Sequence, residues 1–424
     1  MPDIVIIADD LSGAADCGIV CTEAGLGTVV MLGPRDHEPD VAVLAIDGDT
    51  RSRTRAEAIA ATHHLVRAHA PAGRTLFRKI DSTLRGHVAA ELAATLAVRR
   101  AHGRAMIVLA PAFPATGRTT REGHQHLHGV KLEHTELWRR EGIAGRARIP
   151  EMLAEVGLTA ATVDLADIRG PRLGDVVLAR AWDHDVLVFD AEAQSDLQAV
   201  AEAAEMLGDD VIWAGSAGLA RYLPHVTRAR DTWAHDRRQR PPPPALSLMG
   251  PVLFVVGSAS AVSRAQVARL SAEPGLLPVN VPTSALRAGP LDPGWIRAEH
   301  ALDAAFHTGG DVIVLLGDEE PVDLGEGLSL CRSLARLVAP FAAHIGGLVS
   351  TGGETARAVL QAVGATGLRL ISELEPGVPL SVTEGWGPVP VITKAGAFGT
   401  VDTLRHCHAV LHGRSPTRAG DQVP

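Results

Sequence analysis

The chain has 424 residues, of which 46% are hydrophobic and 21% are charged, and its formal net charge is −9. This length exceeds one typical hydrophobic core, so we expect two domains. The acidic balance argues against a general nucleic-acid binder, because no basic face dominates, and no apolar run approaches the roughly 18 residues that a membrane span needs.

The first half alternates short apolar runs with alanine-rich stretches, which is typical of βα units. The predicted strands are Ile4–Ala8, Thr28–Leu32, Val41–Ile46, Thr75–Lys79, Ala105–Ala110, Val186–Asp190 and Val211–Ala214. The predicted helices are Ala14–Ala24, Thr54–Ala70, His87–Arg100 and Leu197–Leu207. The strands are continuously apolar rather than alternating, which favours a mostly parallel sheet covered on both faces.

A proline run divides the chain. The four prolines after Arg240 cannot continue a helix or a central strand, and such a run acts as a stiff spacer. We therefore predict a first domain at residues 1–235, a Pro-rich linker at 236–250, a second domain at 251–413 and a flexible tail at 414–424.

Beyond the proline run the βα rhythm resumes. The predicted strands are Val252–Val256, Leu276–Val281, Val312–Leu316, Gly347–Ser350, Leu368–Ser372 and Val389–Thr393. The predicted helices are Ala261–Ser271, Ile296–Phe306, Glu326–Ala339, Glu354–Val363 and Val401–Leu411. The fold class that follows is α/β, with two domains that each hold a largely parallel sheet covered by helices and that face one another across a cleft.

Charged residues gather where three strands of the first half end. Asp9 and Asp10 follow the first strand, Asp49–Arg53 follows the third, and the fourth ends in Arg78–Arg85. Loops at strand ends are where α/β proteins bind ligands, and arginine forks suit carboxylates and phosphates. The pattern predicts a site for a small acidic or phosphorylated molecule. Helix capping and a structural ion-pair cluster are the simpler alternatives.

The residues of this predicted site fall into two groups. The cations expected to hold the anion are Arg51, Arg78, Lys79 and Arg85, with Ser82 available to contact a hydroxyl. Asp10 or Asp81 is the catalytic candidate, because a carboxylate can orient a hydroxyl or accept its proton.

The next segment, Ala110–Thr120, is too rich in proline and glycine for regular structure, and we expect it to form a shaped loop over the site. It is followed by His124, His126, His128 and His134. A spacing of two residues can place several histidines on one strand face as metal ligands. Surface histidines in a loop are the commoner outcome, so the sequence leaves any metal ligands unknown.

Three strand ends of the second half carry glycine: Gly257–Ser260, Thr351–Ala356 and Lys394–Gly399. Turns of this kind supply free amides and helix N-termini without an obstructing Cβ, which is what a nucleotide phosphate requires. None of them is a Walker A or a GxGxxG motif. Three such turns in one domain nevertheless predict phosphate binding.

Taken together, these segments resemble the four-carbon acid sugar kinase family. The matching strings are ADDLSGAAD at Ala8–Asp16, DTRSR at Asp49–Arg53, KIDSTLRG at Lys79–Gly86, APAFPATGRTT at Ala110–Thr120, GSAGLA at Gly215–Ala220, GSAS at Gly257–Ser260, TGGETA at Thr351–Ala356 and KAGAFG at Lys394–Gly399. They occur in the family's order and cover nearly the whole chain. The combination is specific, although no single string is.

The resemblance implies an acid-sugar-binding first domain and an ATP-binding second domain. It implies transfer of the γ-phosphoryl group of ATP, expected with Mg²⁺, to the terminal (4-) hydroxyl of a four-carbon sugar acid such as threonate, erythronate or 3-oxo-tetronate. The substrate contacts that it suggests are Asp10, Arg51, Lys79, Ile80, Asp81 and Ser82, to which the charge pattern adds Arg85. The suggested ATP contacts are Ser258, Gly352, Gly353, Glu354, Thr355, Ala356 and Gly396.

The expected partners are therefore the sugar acid and ATP, with neither nucleic acid nor membrane, and a homodimer is left open. Four cysteines without a CxxC pair favour a reducing compartment, which predicts a cytoplasmic location. A non-catalytic sensor of sugar acid and nucleotide on the same fold is the alternative. It predicts tight binding of the acid without ATP turnover.

Overall fold

The computed structural model describes residues 2–33, 37–71, 73–226, 248–258, 260–317, 326–396 and 398–414. Contacts divide the described residues into two units, and residues 31–33 belong to the second. Most of the predicted linker and tail lies outside the described residues, so the domain limits and the cleft stay predictions. No helix among the described residues is long and apolar enough to cross a membrane.

The first unit is built on an eight-stranded sheet and a smaller one. Its strands are β1 (Ile4–Ala8), β2 (Thr28–Met31), β3 (Val43–Asp47), β4 (Thr75–Lys79), β5 (Met106–Ala110), β6 (Arg118–Arg121), β7 (His124–Leu127), β8 (Val130–Lys131), β9 (Ala160–Val163), β10 (Val186–Phe189) and β11 (Val211–Gly215). The large sheet has the order β2-β3-β1-β4-β11-β5-β10-β9, and its pairs from β3 to β9 are parallel.

Helices follow most of these strands. They are α1 (Leu11–Glu23), α2 (Arg55–His69), α3 (Val88–Arg100), α4 (Glu136–Arg140), α5 (Ile149–Ala154), α6 (Leu165–Ile168), α7 (Leu173–Ala181), α8 (Gln194–Ala204), α9 (Ala217–Ala220) and α10 (Leu223–Val226). Every residue of β1, β3 and β5 is buried. Burial of successive residues requires cover on both faces, which explains the continuous apolar runs in the sequence.

The segment after Ala110 is more regular than its composition predicts. Arg118–Arg121 forms β6, which pairs with β7 in an antiparallel hairpin. The turn residues Glu122 and Gly123 both have positive φ, 53° and 70°, as a two-residue type I′ turn requires. Their N–H groups donate to Asp190 at 2.7 and 2.9 Å. The prediction of irregular structure was wrong for residues 118–120, because Glu-Gly is an uncommon I′ turn that a distant carboxylate stabilises.

The histidines of this hairpin form no metal-ligating group with other described residues. His124 and His126 lie on β7, and the Nε2 of His124 is 3.6 Å from an oxygen of Glu133. The sequence pattern predicts no elements between residues 121 and 185, where the structure has three short strands and four short helices. Elements of two to nine residues carry too little periodicity to be recognised.

Arg78 has a structural role and does not belong to the charged site. It is fully buried on β4, and its Nη2 pairs with Oε1 of Glu91 on α3 at 2.5 Å. Its Nη1 donates to the carbonyl of Ile7 at 3.4 Å. The prediction that Arg78 helps to bind an anion was wrong. Successive side chains of a strand point to opposite faces, so Arg78 points into the core while its neighbour Lys79 lies in the charged cluster.

The second unit holds a seven-stranded sheet. Its strands are β12 (Val252–Val256), β13 (Leu276–Val281), β14 (Asp311–Leu316), β15 (Gly347–Thr351), β16 (Gly367–Glu373), β17 (Pro379–Glu384) and β18 (Pro390–Lys394). Its helices are α11 (Ala261–Leu270), α12 (Thr283–Ala288), α13 (Pro293–His307), α14 (Gly327–Val338), α15 (Gly353–Ala362) and α16 (Thr403–Leu411). The order is β13-β14-β12-β15-β18-β17-β16.

The first five strands of that order are parallel, whereas β17 runs antiparallel to both β18 and β16. Sequence analysis missed β17. The connections on either side of it have only five residues each. A parallel crossover needs a dozen or more residues, so such short connections dictate antiparallel pairing. The predicted α/β class with two largely parallel sheets is otherwise confirmed.

Candidate functional site

Adjacent parallel strands bring the charged segments of the first unit together. β1 lies between β3 and β4, so the segments that follow these three strands meet at one edge of the sheet. Asp10 is the N-cap of α1, and its Oδ1 accepts a hydrogen bond from the N–H of Gly13 at 2.9 Å. The capping alternative therefore accounts for one oxygen of Asp10 but not for the other.

Arg51, from the segment after β3, is the centre of the cluster. Its Nε lies 2.6 Å from Oδ2 of Asp9, and its Nη1 lies 2.7 Å from Oδ2 of Asp10. Its Nη2 lies 3.7 Å from Oδ1 of Asp81. Burial lowers the pKa of Arg51, but the charges of Asp10, Asp9 and Asp81 outweigh burial and raise it well above the usual value. One guanidinium therefore binds carboxylates from two other strand ends.

Asp81 is the most heavily engaged of these carboxylates. Arg85 holds it with two hydrogen bonds, from Nε to Oδ2 at 2.8 Å and from Nη2 to Oδ1 at 2.9 Å. The hydroxyl and the N–H of Thr83 also donate to Oδ2. Burial opposes ionisation, but the charges of Arg85 and Arg51 hold the pKa of Asp81 well below its usual range. Asp81 is thus ionised, with both oxygens occupied.

Lys79 is buried at the end of β4, next to the two acids that follow β1. Burial lowers the pKa of Lys79, but Asp9 and Asp10 outweigh burial and raise it, so its side chain is an ammonium. A Cβ added to Gly13 would come within 2.6 Å of Nζ of Lys79 and 2.7 Å of Oδ1 of Asp10. The glycine therefore leaves the room that this ammonium occupies.

Two predicted contacts have a different placement. The side chain of Ile80 is buried, and its N–H donates to the carbonyl of Gly215 at 2.9 Å. Ser82 is half-buried, and its carbonyl accepts a hydrogen bond from Gln125 of β7 at 2.7 Å. The small sheet therefore fixes the segment that carries Ser82, whereas the side chain of Ile80 belongs to the core.

The structure adds Asp9 and Arg118 to the predicted site residues. Burial raises the pKa of Asp9, but Arg51 and Lys79 outweigh burial and lower it. Burial lowers the pKa of Arg118 on β6, and the nearby charges of Asp81 and Arg85 raise and lower it, respectively. Its Nη1 donates to the carbonyl of Thr116 at 3.0 Å, whereas its Nε is buried without a hydrogen-bond partner among the described residues. The only sequence signal for Arg118 was its position in a matching string.

In the second unit, three more parallel strands bring the glycine turns together. β15 lies between β12 and β18, so the turns that contain Ser258, Gly352 and Gly396 meet at one edge of this sheet. Gly352 begins α15 with φ 93°, and no side chain caps that helix. The N–H of Gly352 donates to the carbonyl of Lys394 at 2.8 Å, which links two of the turns.

The carbonyl of Gly396 holds the third turn in place. It accepts hydrogen bonds from the hydroxyls of Ser260 at 2.9 Å and Ser263 at 2.8 Å, and from Nζ of Lys394 at 3.3 Å. Gly396 also packs so closely on Ser258 that a Cβ there would overlap the Ser258 side chain. The backbone of the turn is thus fixed by hydroxyls from α11 and its cap.

The predicted residues at the start of α15 differ in what they can offer. The Glu354 side chain is exposed, whereas those of Thr355 and Ala356 are buried. The hydroxyl of Thr355 is 3.2 Å from Sγ of Cys331. The buried positions can therefore contribute only backbone amides to a ligand, which is how a helix N-terminus binds a phosphate.

Both candidate sites lie in parts of the chain that match known protein families. A family model described as a sugar-binding N-terminal domain matches residues 4–223, and one described as a nucleotide-binding C-terminal domain matches residues 253–404. A D-threonate kinase of Cupriavidus necator is 40% identical over 97% of this chain and 99% of its own length. The chain belongs to the four-carbon acid sugar kinase family. As a member of this kinase family, it is a phosphotransferase with a hydroxyl acceptor.

A second kinase and a solved structure are similar to this chain over nearly its whole length. A D-threonate kinase of Bordetella bronchiseptica is 32% identical over 98% of this chain and 99% of its own. A crystal structure of a Haemophilus influenzae protein covers 96% of this chain with a TM-score of 0.70 at 21% identity. That structural likeness supports the fold alone.

The contact between Gly13 and Lys79 predicts that Gly13→Ala lowers kcat/KM for the sugar acid by about 100-fold, the scale expected for a misplacement of about 1 Å. The added Cβ displaces the ammonium and Asp10, while alanine inside a helix costs no stability of its own. Steady-state kinetics and thermal unfolding measure the two effects. Gly33→Ala is the control, since a Cβ at Gly33 meets no atom within 4 Å. Equal kinetics for both variants would contradict the prediction.

Proposed function

We propose that this chain transfers the γ-phosphoryl group of ATP to the 4-hydroxyl of D-threonate. The observation that carries the proposal is the cluster of cations and carboxylates at the ends of β1, β3 and β4, in the part of the chain that matches a sugar-binding domain. The choice of acid is supported by the identity of 40% with a D-threonate kinase, against 26% with a D-erythronate kinase and 27% with a 3-oxo-tetronate kinase.

The charge of the cluster suits a monoanionic sugar acid. Its three carboxylates are those of Asp9, Asp10 and Asp81, and its three cations are those of Arg51, Lys79 and Arg85. Arg118 adds a fourth positive charge near Asp81, so these seven groups sum to four minus three, or +1. Glu141, 4.0 Å from Arg85, is exposed and is not counted among them. A buried donor without a partner calls for an acceptor, and the Nε of Arg118 is such a donor. We assign the substrate carboxylate to Arg118.

The two catalytic candidates are distinguished by how their oxygens are used. Asp81 is held by Arg85 and Thr83, and its pKa lies well below the usual range, so we assign it a positioning role. Asp10 has a side chain 22% exposed, with one N–H on Oδ1 and Arg51 on Oδ2. We assign to Asp10 the role of orienting the 4-hydroxyl and accepting its proton. Lys79, Ser82 and Arg85 remain as contacts to the other oxygens of the acid.

The glycine turns of the second unit are assigned to ATP. The uncapped N-terminus of α15 offers backbone amides and the positive end of the helix dipole to phosphate oxygens. Gly352 and Gly353 keep that approach free of side chains. The proposal places the turns of Ser258 and Gly396 beside the same phosphates. Catalysis of this reaction requires positioning and charge neutralisation rather than a covalent intermediate.

Mg²⁺ is expected to enter as the complex with ATP. Magnesium prefers oxygen ligands and commonly binds through substrate phosphates with one or two carboxylates. The metal-ligating group that the described residues form contains two histidines, so it does not fit Mg²⁺. We therefore assign no resident magnesium site to the protein, and the charge neutralisation by Mg²⁺ is a property of the co-substrate.

An assay that couples ADP release to a chromogenic reaction tests the activity. With ATP and Mg²⁺, we expect turnover of D-threonate with a higher kcat/KM than that of D-erythronate. Asp10→Asn keeps the shape and the acceptor for Gly13, so it should lower kcat by about 10²–10⁴-fold, the usual contribution of a general base. Asp175→Asn, an exposed acid of the same unit, is the control. Acid binding without ADP release from any four-carbon acid would favour the sensor instead.

The assignment of Arg118 predicts a substrate-specific effect. Arg118→Gln should raise KM for D-threonate by about 10–150-fold, which corresponds to the ~1.5–3 kcal/mol of a hydrogen bond to a charged group. KM for ATP should stay unchanged, because the nucleotide turns lie in the other unit. Arg121→Gln on the same strand is the control, since Arg121 is exposed and its ion pair with Glu192 is long, with 3.8 Å between Nη1 and Oε1. An unchanged KM for the acid would remove Arg118 from the site.

The assignment of the glycine turns to ATP predicts an effect on KM for ATP and none on KM for the acid. Gly352→Ala should raise KM for ATP at least tenfold without changing KM for the acid, because a Cβ enters the phosphate approach and strains a residue at φ 93°. Gly364→Ala is the matched control: Gly364 follows the other end of α15 with φ 87°, and a Cβ there meets nothing within 4 Å. Both variants carry similar backbone strain, so equal KM values for ATP would refute the assignment.

A further inference from the structure

A second polar cluster of the nucleotide-binding unit lies away from the glycine turns. Asp311 is the first residue of β14, His408 lies in the last turn of α16, and His412, four residues later, is the C-cap of that helix. The Nε2 atoms of the two imidazoles lie 2.6 and 2.7 Å from the same Oδ2 of Asp311. All three potential ligand atoms lie within 4.8 Å of one another.

The three side chains are held by the surrounding core. The Asp311 and His408 side chains are 11% and 10% exposed, and that of His412 is 27% exposed. The other oxygen of Asp311 accepts a hydrogen bond from the N–H of Val252 at 2.7 Å, which fixes the carboxylate. The ring of His408 packs on Phe254 and meets His412 edge-on, with centroids 6.0 and 4.6 Å apart. The cluster is therefore a formed site with one open side.

One imidazole would be enough to hydrogen-bond Oδ2 of Asp311. On the same helix, a single imidazole contacts Oε1 of Glu375, with Nδ1 of His406 at 2.7 Å, and the hydroxyl of Thr403 donates to Oε2 at 2.6 Å. At Asp311, two imidazoles spaced by four residues converge on one oxygen instead. Two histidines at i and i+4 on one helix face, with a carboxylate from another element, form a ligand set for zinc that leaves the fourth position to water.

We propose that Asp311, His408 and His412 bind a divalent transition-metal ion, for which Zn²⁺ is the best match. Two nitrogen donors argue against Mg²⁺ and Ca²⁺, which prefer oxygen. On binding, each imidazole presents the lone pair of Nε2 to the ion, so the hydrogen shared with Oδ2 is replaced by one at Nδ1 of the same ring, exchanged through solvent. The ligand atoms then move from hydrogen-bond spacing to about 3.3 Å apart, as tetrahedral bonds of about 2.0–2.1 Å require. Oδ2 of Asp311 becomes the oxygen ligand.

The position of this site indicates a structural role. Asp311 lies at the amino end of the parallel strands, whereas the glycine turns follow their carboxyl ends, about one strand length or roughly 17 Å away. The ion would join α16, the last described helix, to β14. An ion that binds only the folded state raises its stability in proportion to the logarithm of its concentration. The proposal does not depend on which acid the enzyme phosphorylates.

Zinc binding by the full chain tests the proposal, after chelation and removal of the chelator. We expect isothermal titration to show one Zn²⁺ per chain, and Co²⁺ to give the visible absorption of a tetrahedral site. Zn²⁺ should also raise the melting temperature. His412→Ala and Asp311→Asn should each weaken Zn²⁺ binding by at least tenfold and abolish the thermal shift. His412 is partly exposed, so the first variant should fold, and kinase activity without added Zn²⁺ reports this.

His406→Ala is the matched control, since it removes a histidine of the same helix that pairs with a single carboxylate. It should bind Zn²⁺ with the affinity of the unmodified chain. The proposal is overturned if the unmodified chain binds no stoichiometric Zn²⁺. It is equally overturned if His412→Ala and Asp311→Asn bind Zn²⁺ as the unmodified chain does, because adventitious surface histidines would then account for the binding.

Discussion

The charged cluster at the strand ends of the first unit depends on the guanidinium of Arg51. It stands between carboxylates that follow two different strands, and like charges this close would otherwise repel one another strongly in a partly buried site. A planar fork with several donors can orient three acids at once and offset part of their charge, whereas an ammonium is a single point charge. Asp81 and Arg85 form the ion pair that the structural alternative describes, and Arg85 keeps its proposed contact to the acid beside that pair. Asp10, Lys79 and Arg118 keep the features of a binding site.

The second unit, which matches a nucleotide-binding domain, holds its turns by different interactions. Its turns are organised by backbone and hydroxyl groups rather than by ion pairs: the carbonyl of Gly396 collects two serine hydroxyls and an ammonium, and the N–H of Gly352 is tied to β18. Phosphates are themselves strongly charged, so the protein needs to supply aligned donors and close approach. The acid is a weaker anion, and the proposed assignment has side-chain cations bind it instead.

Strand polarity explains the arrangement in both units. In each, three adjacent parallel strands end at the same edge, with the central strand being β1 in one unit and β15 in the other. Segments that are 30 to 140 residues apart in sequence thereby meet. The opposite edge of the second sheet carries Asp311 with its two histidines, so a structural ion there and the phosphate turns occupy separate ends of one scaffold.

Much of this protein could be derived from its sequence. Continuous apolar runs identified most central strands, and charged or glycine-bearing strand ends pointed to the segments that the structure brings together, because these signals are local. The tertiary structure alone decided that Arg78 pairs with Glu91 in the core while Lys79, its neighbour, joins the site. It also decided that the Glu122–Gly123 turn is held by Asp190, that Arg118 reaches the acid cluster, and that His408 and His412 meet Asp311. These four contacts depend on which face of a strand or helix is buried and on partners that are distant in sequence. A local sequence pattern encodes neither the buried face nor the distant partner.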